Sequence, residues 1–105
     1  MIHKLADLAE VIRSKNSGPY ELTFDVIFKD EAAYQLVAEA GVINPQSFAE
    51  LYGLSEKEVI GVVNFPLAKA VKITIARPLP SGSLGETDVY GAQQHGPLLN
   101  FQFDL

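Results

Sequence analysis

From Tyr20 to Phe28 the chain reads YELTFDVIF, and apolar and polar residues alternate along it. Tyr20, Leu22, Phe24, Val26 and Phe28 fall on one side, and Glu21, Thr23, Asp25 and Ile27 on the other. Successive side chains of extended backbone point to opposite faces, so the pattern makes a strand with one apolar face. A strand of this kind needs neighbouring strands for its backbone and a second layer for its apolar side. The rest of the chain has to supply both.

Period two returns twice. Val71, Ile73 and Ile75 alternate with Lys72 and Thr74, and Leu99, Phe101, Phe103 and Leu105 alternate with Asn100, Gln102 and Asp104. Between the first two alternating runs lies Val59–Val63 (VIGVV), an unbroken apolar run that reads as an interior strand covered on both faces. Gly61 within it suggests close approach of another group. Helical signals fill the gaps. Leu5, Leu8, Ala9 and Ile12 recur at i, i+3, i+4 and i+7, which predicts a helix over about 3–14. His3 reads as a solvated residue near a chain end.

Asp30 caps a helix over 31–40 that Gly41 stops, with Ala33, Tyr34, Val37 and Ala40 as its apolar side. Asn44-Pro45 opens another, with Phe48, Leu51 and Tyr52 inward and Gly53 at its end. Ser55 and Glu58 have the spacing of a capping box, and Leu67–Ala70 reads as one helical turn. The expected fold is α+β (or α/β) in one domain over 1–105. Its order is α-β-α-α-β-β-long loop-β, a mixed sheet of about four strands with three helices mainly on one face. The first two strands are expected to be parallel neighbours through a right-handed crossover.

Composition removes several function classes. The chain is acidic, with net charge −5 and only eight Lys+Arg, so it offers no broad basic face for nucleic acid. No apolar run approaches the ~20 residues that span a bilayer. Asp7 and Glu10 interrupt the N-terminal apolar stretch, which argues against a signal peptide. Cysteine is absent, so there is no disulfide framework or thiolate chemistry. The expectation is a cytoplasmic protein that binds neither nucleic acid nor membrane and carries no cofactor.

Candidate functional residues gather in Arg77–Pro97, RPLPSGSLGETDVYGAQQHGP, a segment of roughly twenty residues without either periodicity. Loops of that length inside a domain usually bind something or are disordered, and the alternative here is a packed surface loop whose polar groups bond its own backbone. Asp88, Tyr90 and His95 form a proton-handling set: an acid to orient an imidazole, and a phenol to donate. SGSLG can bring backbone N–H groups to an anion, although it lacks the Lys-Ser/Thr ending of a phosphate loop. One histidine with scattered acids falls short of a zinc ligand set, so no metal is expected. Glu21 and Asp25, two ~7 Å steps apart on one strand face, are too distant to share a proton. Arg13, Lys15 and Asn16 follow the first predicted helix. They serve either as charges complementing a helix C-terminus or as an anion pocket for a carboxylate or phosphate. The site as a whole requires the 77–97 segment to fold back against the turn holding these residues.

Three blocks, RSKNSGPYELTFDVIF, YGLSEKEV and RPLPSGSLGETDVYGAQQHGPLL, together resemble the domain-of-unknown-function family 4387 over nearly the whole chain. The run SG-x-x-G-x-TDVYGAQQH carries most of the specificity. The resemblance implies a small protein, alone or fused to an acyclic-terpene-utilisation (AtuA-like) protein, in the setting of acyl-CoA or organic-acid breakdown. It brings no established catalytic residues. On the family's pattern the positions singled out are Arg13, Lys15, Asn16 and the Thr87–His95 segment, with Thr87, Gln93 and Gln94 as ligand-binding groups.

Three functions fit these residues. The first is an accessory subunit that contributes a polar loop to a site shared with the AtuA-like partner. The second is a stand-alone lyase, hydratase or isomerase with His95 as acid/base, Asp88 as its orienter and Tyr90 as proton donor, Arg13 or Lys15 clamping a carboxylate. The third only binds a small anionic ligand. The aromatic terminal strand LNFQFDL is read either as a homo-oligomer contact or as part of the chain's own core.

Overall fold

The computed structural model describes residues 2–18, 20–76 and 96–104. Four strands form an antiparallel sheet in the order β2-β3-β5-β4: β2 (Ala9–Gly18), β3 (Glu21–Phe28), β4 (Val59–Phe65) and β5 (Ala70–Ala76). Helices α2 (Glu31–Ala40) and α3 (Pro45–Tyr52) join β3 to β4 and cover one sheet face. The termini meet in a two-stranded ribbon, β1 (Ile2–Lys4) against β6 (Gln102–Asp104), flanked by the one-turn helices α1 (Leu5–Leu8) and α4 (Gly96–Leu99). The α+β class expected from the sequence is the class observed.

Leu22, Phe24, Val26 and Phe28 of β3 are all buried beneath the helices, as the alternation predicts, whereas Tyr20, expected on the same side, lies in the turn before β3 and is exposed. Phe24 packs against Phe48 and Tyr52 of α3, both at 5.0 Å between ring centroids, and Phe28 against Tyr34 of α2 at 6.0 Å. Each side chain of this size contributes about 1.5–3 kcal/mol on leaving water. The predicted helix bounds hold. The Asp30 side chain accepts from Ala33 N–H at 2.8 Å, and Asn44 Oδ1 accepts from Ser47 N–H at 2.8 Å. Gly41 and Gly53 close the two helices in the left-handed region, at φ 65° and 66°. Ser55 and Glu58 form their capping box on a 3₁₀ turn, and a second such turn, Pro66–Ala68, links β4 to β5.

The helix predicted over 3–14 is not present: only Leu5–Leu8 is helical, and Ala9 begins β2. A bulge explains the false signal. Ala9 pairs with Phe28 and Ile12 with Val26, so three residues of β2 run alongside two of β3. Both residues face the core, and their spacing of three imitates a helical stripe. The β-branched pair Val11-Ile12 suits extended backbone better than helix. His3 consequently lies in β1, half-buried and stacked on Phe103 at 5.8 Å.

The VIGVV run belongs to an edge strand, not an interior one. It carries the same device: Val59 pairs with Ile75 and Val62 with Ile73, with a register shift between Val59 and Gly61. Apart from its chain neighbours, no described residue has an atom within 4 Å of where a Cβ on Gly61 would stand, so that glycine is read with the bulge and not with a close contact. β3 and β4 do run parallel, but as second neighbours, because β5 inserts between them and pairs antiparallel with both. The final strand is shorter than predicted. Leu99 ends α4, and β6 pairs with the chain's own β1, while Phe101 and Phe103 pack on the core.

A candidate anion-binding sheet face

Register places the polar residues of the sheet in rows on the face away from α2 and α3. Arg13 of β2 is opposite Asp25 of β3, which is opposite Lys72 of β5 and then Val63 of β4. The next row, one ~7 Å step toward the β2–β3 turn, is Lys15, Thr23, Thr74 and Gly61. On the other side lies an apolar row of Val11, Ile27, Ala70 and Phe65. Neighbouring strands are about 4.8 Å apart, so Arg13 and Lys72 stand ~10 Å from each other with Asp25 between them.

Arg13 Nε donates to Asp25 Oδ2 at 3.2 Å, with the arginine side chain 59% and the carboxylate 18% exposed. An ion pair this open contributes at most ~1 kcal/mol to stability, and its main effect is to fix the direction of the guanidinium. A guanidinium has five N–H donors, so most remain for another acceptor. Lys15 and Lys72 are exposed, and neither makes an ion pair among the described residues. Thr23, by contrast, is 1% exposed, and its hydroxyl has no hydrogen-bond partner among the described residues. A buried hydroxyl left unpaired costs about 1–3 kcal/mol, so an oxygen or nitrogen reaching it is favoured.

Three cations and two hydroxyls therefore surround one carboxylate on a face whose far side is apolar. Glu21 shares this face of β3 with Asp25, and six of the chain's thirteen acids lie away from it. Residues 30–58 hold Asp30, Glu31, Glu39, Glu50, Glu56 and Glu58 against Lys57 alone, six acids to one lysine and the same net −5 as the whole chain. The arrangement suits a carboxylate or phosphate set between Arg13, Lys15 and Lys72. Among the described residues no three His, Asp or Glu side chains gather closely enough to hold a metal ion.

Of the residues named from the sequence, Arg13 and Lys15 come together on this face, although they sit in mid-strand and not at a helix end. Asn16 pairs with Leu22 on the same strand, and its side chain lies outside the described residues. Thr87, Asp88, Tyr90, Gln93, Gln94 and His95 also lie outside them. The two ends of their segment are described. Ala76 closes β5 opposite Glu21, which itself pairs with Gly18, so the segment departs beside the β2–β3 turn. It re-enters at α4, where Leu98 is buried. The Tyr52 phenol is pushed above its usual range by burial, and a hydrogen bond with the Leu98 backbone opposes that shift. Tyr52 thereby ties α3 to α4. Sequence reasoning missed Thr23, Lys72 and Thr74; their alternation was visible, but only the strand order brings them beside Arg13.

The family model for the domain of unknown function DUF4387 matches residues 5–102. The chain belongs to that family. The match to the DUF4387 model covers this chain almost end to end, from α1 to the start of β6. No curated protein and no solved structure matches the chain. Among the described residues no helix is long and apolar enough to cross a membrane.

Proposed function

We propose that this DUF4387 domain is a ligand-binding accessory subunit. Its outer sheet face holds the anionic part of an organic acid or CoA thioester, and a larger AtuA-like partner completes the site and carries the chemistry. The observation that supports this most is the Arg13–Asp25–Lys72 row beside the buried, unpartnered hydroxyl of Thr23. Cations aligned by register on an otherwise acidic protein attract an anion, and the adjoining Val11, Ile27, Ala70 and Phe65 offer an apolar track for its hydrocarbon part. Segment 77–95, which starts beside the β2–β3 turn, would supply Thr87, Gln93, Gln94 and His95 to the same ligand.

Co-purification of the two proteins, followed by calorimetry of the complex with short-chain acyl-CoAs and dicarboxylates, tests this reading. Arg13→Ala or Lys72→Ala is expected to weaken binding about 10-fold, the lower range for a charge-assisted hydrogen bond at an exposed position. Failure of the proteins to associate at micromolar concentration with ligand present would contradict the accessory role. The alternative of a stand-alone lyase, hydratase or isomerase requires turnover by the chain alone, with His95→Ala lowering kcat by about 10²–10⁴.

A further inference from the structure

The two edges of the four-stranded sheet differ in a way that bears on assembly. β2, at one edge, carries Glu10, Arg13 and Lys15, charges of the kind that keep an exposed strand from pairing with another chain. β4, at the other, reads VIGVVNF and has no charged residue in its seven positions. Val59 is buried and Val62 packs on the core, but three apolar side chains are open to solvent: Ile60 is 55% exposed, Val63 50% and Phe65 44%. Beyond it, Leu67 at the tip of the β4–β5 link is fully exposed. Among the described residues β4 pairs with β5 alone, and an uncharged, proline-free strand with one open edge is a template for strand addition.

We infer that β4 pairs antiparallel with β4 of a second copy across a two-fold axis near the middle of the strand, joining two four-stranded sheets into one of eight. A second copy is the occupant that the charge distribution favours. Isologous pairing brings each residue near its own counterpart, so a strand with net charge would repel itself. β4 alone of the two edges meets that condition, and the six acids of residues 30–58 belong to the helical layer and the turns beside it. Pairing buries Ile60, Val63 and Phe65 and satisfies the free N–H and C=O groups of the edge. The inference does not depend on the proposed ligand.

Sedimentation of the full chain at tens of micromolar tests it, with Ile60→Glu/Val63→Glu as the disrupting variant and Leu36→Glu, an exposed apolar position on α2, as control. Wild type and control are expected to sediment as dimers, and the double variant as a monomer with an unchanged circular-dichroism spectrum. Val63→Glu faces Lys72 across the hairpin, which favours retention of the fold. A monomeric wild type, or a double variant that stays dimeric, would overturn the proposal. So would a wild type that remains monomeric alone and loses a larger partner when Ile60 and Val63 are changed, since β4 would then belong to that partner.

Discussion

Phe24 and Thr23 are adjacent in the chain and point to opposite faces of β3, and each has a separate consequence. Phe24 is fully buried between Phe48 and Tyr52, so Phe24→Ala should cost about 3–5 kcal/mol, read as a lower urea midpoint with an unchanged slope. Thr23 is nearly as buried but lacks a partner for its hydroxyl. Thr23→Val should therefore leave the free protein as stable or stabilise it by up to about 1–3 kcal/mol, while weakening ligand binding. Opposite signs in the two assays would separate a binding role from a packing one. Tyr52 makes a pH prediction. Its folded pKa lies above the unfolded value of about 10, so the native state holds this proton more tightly than the unfolded chain does. Stability should be level below about pH 10 and fall as pH rises beyond it, and Tyr52→Phe should remove part of that fall.

Elements were legible where local chemistry alone decides them. Asp30, Gly41, Asn44-Pro45 and Gly53 bound α2 and α3 in sequence as they do in space, because caps and left-handed stops act within a few residues. Gly53→Ala should cost about 1–2 kcal/mol in thermal unfolding, since alanine at φ 66° pays for the left-handed conformation. β2 was misread as a helix, and β4, read correctly as a strand, was misplaced in the interior because exposed Ile60 and Val63 leave its apolar run unbroken. A bulge shifts the spacing of core-facing residues from two to three, at Ala9 and Ile12 in one strand and at Val59 and Val62 in the other. Periodicity cannot separate such a strand from a helix, or an edge from an interior, until its partner is known. Leu99 was lost from the final strand in the same manner: Pro97 and the preceding glycine open a helical turn that the alternation conceals.

At the scale of the whole molecule, strand order makes the site. Lys72 and Arg13 are far apart in sequence and meet only because β5 inserts beside β3, a long-range pairing that no local pattern encodes. Arg13 and Lys15 were recognisable as cations of a helix end or an anion pocket, whereas their companions Thr23, Lys72 and Thr74 were visible only as the outer half of an alternation. Residues 30–58 carry six acids and one lysine while Arg13, Lys15 and Lys72 gather on the sheet face, a polarity that salt should weaken. Anion binding is expected to fall several-fold between low and physiological ionic strength, since exposed charges are screened over about 8–10 Å. Anion binding at that outer face is the property on which the proposed role rests. The most direct test is an amide NMR titration of the isotopically labelled chain with a short-chain acyl-CoA, alone and with the proposed AtuA-like partner added. Shifts are predicted at Arg13, Lys15, Thr23, Lys72 and Thr74; shifts confined to α2 and α3, or none in either sample, would contradict it.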